Sequence, residues 1–459
     1  MTSSLRPERE LEARLPVYRG HFGRAEAERL LWRAGFGPRR GEAKKLSRKG
    51  LNRAVESLVK PRNQKLVGPR PRDEDGRKLA PRDAYGHDAL WWLDRMVRTS
   101  SPLVERMTLI WHDWFATSDD GVGSQRLMLR QNELFRRRAL SSFQGLLLEV
   151  TRDPAMLIWL SGIQSTRESP NENYARELME LFTLGANRGY SEADVREQAR
   201  ALTGWTADYK RGKGFVDFHY EAGRHDPGVK TVFGKRGRFD WEDACMMCLR
   251  NRSHPSFFVT KLWSYFIPTP PSRGTQRALQ RLYVRKGYAV RPVVRAILKH
   301  PALYTGPRMT KPPAVYLAGL LRARGRSIDT DAWVWISQLA GQRLFNPPNV
   351  AGWDDDRWLN TSTYRGRWIA ASVVSEPDAL DPGELHPDGL TTKPDELVQR
   401  ALAYWGNPSI TRGTRGALTR FAQSAMADAD EDWKRESYPI MVENALRQLV
   451  ATSPDLQTS

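Results

Sequence analysis

Cysteine is nearly absent: Cys245 and Cys248 are the two in 459 residues, too few for a disulfide framework. They form a lone Cys-x-x-Cys, whereas a zinc ribbon needs a second such pair. The surrounding Trp241-Glu242-Asp243-Ala244-Cys245-Met246-Met247-Cys248-Leu249 has helical rather than βαβ spacing, so both thiols read as part of a packed face, with redox chemistry the lesser reading. No window approaches the roughly 18 continuous apolar residues of a membrane span. Residues 1–10 hold no apolar stretch of signal-peptide length, which makes the cytoplasm the default location. A Walker motif, G-x-G-x-x-G, a G-x-S-x-G elbow and C-x-x-C-H are all missing. Nucleotide hydrolysis, Rossmann redox chemistry, serine hydrolysis and c-type haem lose support with them. Acid is also in deficit, 53 Asp and Glu against 72 Lys and Arg, and the net charge of +19 draws the chain toward anionic partners.

What is present is mostly helix signal. Helix-spaced apolar residues recur over 21–34, 40–58, 85–99, 103–116, 124–140, 143–150 and 191–202. They resume over 241–249, 255–266, 277–286, 290–299, 312–324 and 330–339, and Ser191 with Asp194 makes a capping-box start. The period changes between 212 and 238, where Phe215-Val216-Asp217-Phe218-His219-Tyr220 alternates and Thr231-Val232-Phe233-Gly234 leads into a short hairpin. The expected fold is therefore mainly α, a multi-helical globular protein with a small β-hairpin excursion around 212–238. Residues 60–80 read as a mobile loop. Composition divides the chain into a main helical domain over 1–375, a linker or crossing loop over 376–394 and a C-terminal helical segment over 395–459 that packs on the main domain.

The richest stretch is Pro170-Asn171-Glu172-Asn173-Tyr174-Ala175-Arg176-Glu177-Leu178-Met179-Glu180-Leu181-Phe182-Thr183-Leu184-Gly185. On a wheel of about 100° per residue, Tyr174, Leu178, Leu181 and Phe182 share one face, and Glu172, Arg176 and Glu180 form a stripe on the other. Glu177 falls in line with Leu181 and Leu184 at the edge of the buried face, where desolvation raises a carboxyl pKa. A helix capped by Asn171 and otherwise amphipathic explains part of the pattern and leaves Glu177 unaccounted for.

This stretch, with Gly189-Tyr190-Ser191-Glu192-Ala193-Asp194-Val195 and Ala199-Arg200-Ala201-Leu202-Thr203-Gly204-Trp205, resembles the bacterial family called domain of unknown function 1800. Further segments agree in order: Leu31-Trp32-Arg33-Ala34-Gly35-Phe36-Gly37-Pro38, Trp111-His112-Asp113-Trp114-Phe115-Ala116-Thr117-Ser118 and His225-Asp226-Pro227-Gly228-Val229-Lys230-Thr231. Lys261-Leu262-Trp263-Ser264-Tyr265-Phe266 and Leu344-Phe345-Asn346-Pro347-Pro348-Asn349-Val350-Ala351-Gly352-Trp353 follow, and the resemblance spans nearly the whole chain. It implies no reaction. It does imply a possible partner from the phosphatase-like family called domain of unknown function 1501, and frequent export of its members.

Two more candidates come from chemistry. His112 lies opposite the apolar stripe of its helix beside Glu105, Leu109 and Ala116, a mixed face that suits either a satisfied core histidine or a site. His225-Asp226-Pro227-Gly228 is a strong turn former, and turns also display functional side chains. His112, Glu177 and His225 together have the donor types of a divalent metal site with an open position. In that reading Glu177, His112, His225 and Asp226 do the chemistry of a metal-assisted hydrolase or oxidoreductase. Asn171, Asn173, Arg176 and Arg200 hold an anionic group. The alternative is a non-enzymatic binding or assembly protein for an anionic polymer or the phosphatase-like partner. Arg39-Arg40, Lys44-Lys45, Arg48-Lys49 and Arg136-Arg137-Arg138 supply basic clusters, yet no nucleic-acid-binding signature accompanies them, so nucleic acid is not favoured. Asp354-Asp355-Asp356 lacks the alternation of a calcium loop, and Trp353 with Trp358 offers a stacking platform.

Overall fold

Helices dominate the computed structural model, which describes residues 15–61, 63–381 and 391–459. The chain is mainly α, as the apolar periodicity requires. Residues 1–10, which lack an apolar stretch, and 382–390 of the 376–394 linker lie outside the described residues, as does Arg62 of the 60–80 loop. The remainder of that loop is non-helical and tied by Val67 N–H to Arg98 O at 2.9 Å and Arg72 N–H to Ile328 O at 2.9 Å. No helix among the described residues is long and apolar enough to cross a membrane.

Two compact units form, each from three segments. The first takes in Val104–Gly306, Phe345–Trp353 and the described part of Met1–Arg19; the second takes in Gly20–Leu103, Pro307–Leu344 and Asp354–Ser459. These units cut across the division read from composition: residues 1–375 are shared between both, and 395–459 belongs with the N-terminal helices.

In the first unit the helix Val290–Lys299 buries Val290, Val293, Val294, Ile297 and Leu298, the i, i+3, i+4, i+7, i+8 stripe of an amphipathic helix. Glu192–Ala201 starts with the expected box: Ser191 Oγ accepts from Asp194 N–H at 3.3 Å and Asp194 Oδ2 from Ser191 N–H at 2.8 Å. The core is aromatic, with Trp111, Trp114, Phe115, Phe135, Phe143, Phe182 and Phe258 almost fully buried. Two indole nitrogens in it reach carbonyls: Trp111 Nε1 donates to Ala139 O at 3.0 Å and Trp114 Nε1 to Phe182 O at 3.1 Å.

The β excursion begins earlier than expected. Strand β1 (Trp205–Lys210) pairs antiparallel with β2 (Gly214–Tyr220), in register Trp205 to Tyr220 and Lys210 to Gly214 with a bulge between Thr206 and Asp208. Strands β3 (Lys230–Val232) and β4 (Lys235–Gly237) form the short hairpin. Thr-Ala-Asp-Tyr-Lys lacks apolar alternation, which hides β1 from a periodicity reading.

In the second unit Pro313–Arg324 is buried from Pro313 through Arg322 on every face, as a central helix must be. Two buried arginines of this unit, Arg322 on that helix and Arg367 on Thr361–Ser375, spend donors on carbonyls. Arg322 reaches Gly37 O at 3.1 Å and Val97 O at 3.0 Å, with Glu42 at 3.3 Å; Arg367 reaches Trp358 O at 3.0 Å and Lys311 O at 2.8 Å.

Candidate functional site

The stretch that the sequence singles out is not one continuous α-helix. Glu172–Glu177 is α-helical and Leu178–Leu184 is a π-helix closed by Gly185 at φ 94°. Bonding i→i+5 widens each turn, so the wheel of about 100° per residue stops applying beyond Glu177. Leu181, expected with the buried face, is half-exposed, while Met179, Phe182, Thr183 and Leu184 are buried.

The end of the π-helix is finished by side chains from other helices. Lys261 Nζ donates to Leu181 O at 3.1 Å, Trp114 Nε1 to Phe182 O at 3.1 Å, and the His254 ring nitrogen Nδ1 lies 2.9 Å from Thr183 O. Side chains from two other family-resembling segments, together with His254, thus reach three consecutive carbonyls at the end of the wide turn. Lys261 also lies 4.6 Å above the Trp114 ring, and burial lowers its ammonium to about 8 against the pull of Asp113. Asp113 in turn accepts from Tyr265 Oη at 2.6 Å and Trp353 N–H at 2.8 Å, which pins the loop ahead of Trp353. Neither Lys261 nor Asp113 was singled out from the sequence; a Lys and an Asp inside apolar runs were the available signal.

Glu177 is half-buried, and burial followed by Glu180 raises its carboxyl while Arg176 opposes them. It makes no hydrogen bond or ion pair among the described residues, and the Arg176 charge is the one cation acting on it. Arg176 pairs instead with Glu172 at 3.2 Å and Glu192 at 2.8 Å, the solvated face expected of it. Asn171 is the cap, accepting from Asn173 N–H at 2.8 Å, and Asn173 is exposed. These bonds account for Asn171 and Arg176 without a bound anion.

His112 is fully buried, so its helix is covered on both faces. Its ring centre lies 5.4 Å from that of Trp353, 5.6 Å from Phe345 and 6.1 Å from Phe135, and burial pushes the imidazole down to about 3. Trp353 and Trp358 are themselves buried, which removes the stacking platform expected of them.

His225 and Asp226 do come together with Arg200. Asp226 accepts from Arg200 Nε at 2.6 Å and Gly228 N–H at 2.7 Å, and the arginine holds its carboxyl below the usual range. Thr203 Oγ1 accepts from Asp226 N–H at 2.9 Å and lies 3.2 Å from His225 Nδ1. This closed turn stands behind the start of β1 and sets Trp205 against Tyr220 and Trp241, with ring centres 5.6 and 5.5 Å away. The described residues contain no group of three or more His, Cys, Asp or Glu side chains that could hold a metal ion, so His112, Glu177 and His225 are not gathered as a ligand set. Each has its own neighbours.

Trp205 faces a cleft of about 560 Å³, lined also by Arg130, Arg137, Arg152, Phe218 and the carboxylates of Glu149, Asp153 and Asp217, the last paired with Lys210 at 2.7 Å. The basic triplet splits three ways. Arg136 turns inward to Glu105 at 2.6 and 2.9 Å, Arg138 pairs with Glu149, and Arg137 lies along the cleft at 3.1 Å from Glu149. Arg130 and Arg152 are exposed and make no ion pair among the described residues. Beneath them Asp153 caps Pro154–Trp159, accepting from Gln131 Nε2 at 2.8 Å and Met156 N–H at 3.2 Å, and burial raises its carboxyl to about 6.

A mainly helical chain whose motif segments meet around a π-helix defines the class. The chain belongs to the family described as protein of unknown function (DUF1800), whose model matches residues 29–458. No curated protein and no solved structure matches it.

Proposed function

We propose that the protein is a binding protein for an acidic polysaccharide, held in the cleft of the first unit. The observation that supports this reading most is the pairing of two exposed arginines, Arg130 and Arg152, which make no ion pair among the described residues, with the indole of Trp205 in one cleft. Guanidinium groups bind carboxylate or sulfate through paired donors, and an indole face covers the apolar side of a sugar ring. The net charge of +19 adds long-range attraction. A metal-assisted hydrolase or oxidoreductase has no comparable support, since its residues have separate neighbours; a phosphatase-like partner rests on the family resemblance alone.

The test is binding to heparin or polygalacturonate against neutral dextran over a range of salt. Affinity for the acidic polymers falls steeply with ionic strength, and R130Q/R152Q lowers the logarithmic salt slope by roughly two. Equal retention on dextran, or an unchanged slope in the double variant, overturns the proposal. Preference for single-stranded DNA over both polysaccharides moves the reading to nucleic acid.

A further inference from the structure

The second unit holds a separate cavity of about 280 Å³, bordered by Arg24, Arg39, Arg40, Lys44, Trp32 and Trp405. We propose that this cavity is a binding site for a small ring-bearing anion, a ring carboxylate or a phosphate monoester with one ring. The proposal stands apart from the polysaccharide reading and shares no residue with that cleft.

Trp32 makes a fixed wall. A Cβ on Gly319 would lie 2.2 Å from its ring, and one on Gly37, at φ 73°, would lie 2.7 Å from it, so the indole occupies space that only glycine leaves open. Lys311 Nζ sits 3.8 Å from the ring centre and donates to Leu456 O at 2.6 Å, fixing the ring from another side. An aromatic surface held this way loses little freedom when a flat ligand meets it.

The charges around the wall are unequal. Four cations line the cavity against one carboxylate, Glu28, which Ser409 occupies through its N–H at 3.1 Å and its hydroxyl at 2.9 Å. Arg24 is positioned by the carbonyls of Gly406, at 2.9 Å, and Asn407. Arg39 is positioned by Val97 O at 3.0 Å and Thr99 O at 3.1 Å. The Arg40 and Lys44 side chains are exposed and make no hydrogen bond or ion pair among the described residues. Two cations are thus anchored and two are available. The volume lies just below the usual range of ligand sites, roughly 300 to 1,000 Å³, and suits one ring with its acid group rather than a dinucleotide or a polymer.

Calorimetry and tryptophan fluorescence with four probes test this: benzoate, phenyl phosphate, inorganic phosphate and phenol. Either ring anion binds and quenches fluorescence; comparison of the two tells carboxylate from phosphate. Inorganic phosphate and phenol each bind at least tenfold more weakly than the better ring anion. R40Q/K44Q, two surface changes whose fold is checked by an unchanged melting temperature, weakens the ring anion tenfold or more. R130Q/R152Q leaves it unchanged, so failure here and failure of the polysaccharide reading are told apart. Phenol matching benzoate, phosphate matching phenyl phosphate, no binding of either ring anion at millimolar concentration, or full affinity in R40Q/K44Q each overturns the proposal.

Discussion

An imidazole enclosed by Phe135, Phe345 and Trp353 keeps its place only while it is neutral, because burial lowers the His112 pKa to about 3 from 6.5. The unfolded chain takes up this proton near pH 6.5, whereas the folded chain takes it up only near 3. The contribution to stability is whole above 6.5 and is lost progressively as pH falls toward 3, at about 1.4 kcal/mol per pH unit. His112→Phe removes that dependence. Urea unfolding at pH 7 and pH 5 is therefore expected to show the variant gaining on the parent chain by about 2 kcal/mol between the two. A constant difference between parent and variant contradicts the neutral-core account. The same residue shows what sequence leaves open: a mixed helix face is compatible with a site or with burial, and the deciding rings come from Phe345 and Trp353, more than 200 positions away.

At the scale of elements, the π-helix Leu178–Leu184 persists because side chains complete its terminal carbonyls. His254 bridges Thr183 O, at 2.9 Å, and Tyr283 Oη, at 3.0 Å. His254→Phe leaves both without that partner in a buried setting, with an expected cost of about 1–3 kcal/mol in chemical denaturation. Loss of the π-turn signature from amide hydrogen exchange across 178–184 should accompany it; full stability in the variant would mean that the backbone alone holds the wide turn. Local chemistry made much of this level readable, from the Ser191–Asp194 box to the Val290–Lys299 stripe. Leu181 departs from its expected buried face because the α wheel ends at Glu177, whereas Glu177 itself lies half-buried with its carboxyl raised by burial, at the edge where the wheel puts it. A π-turn adds no distinctive residue type, so nothing in Leu-Met-Glu-Leu-Phe-Thr-Leu announces it. Asp226 and Arg200 illustrate the opposite case: turn formers read correctly as a turn, with the ion pair that closes it visible only once the helix Glu192–Ala201 is placed.

At the scale of the whole molecule, each compact unit is assembled from three segments far apart in sequence, a pairing that periodicity does not encode. Apolar periodicity places the helices and leaves their grouping open. Burial of the Trp241–Arg250 helix carries a practical consequence. Cys245 and Cys248 are fully buried in the first unit, beside Thr151 Oγ1 at 3.1 Å and Gln198 Nε2 at 3.4 Å. Burial pushes the Cys245 thiol up to about 12 and the Cys248 thiol higher than usual as well. Neither thiolate nor access is available in the native state. A small disulfide reagent should find no reactive sulfur in native buffer and two in denaturant, and immediate native labelling would contradict the packing described above. Slow native labelling then times the spontaneous opening of that unit, so the chain carries two built-in reporters of its own breathing without any introduced label.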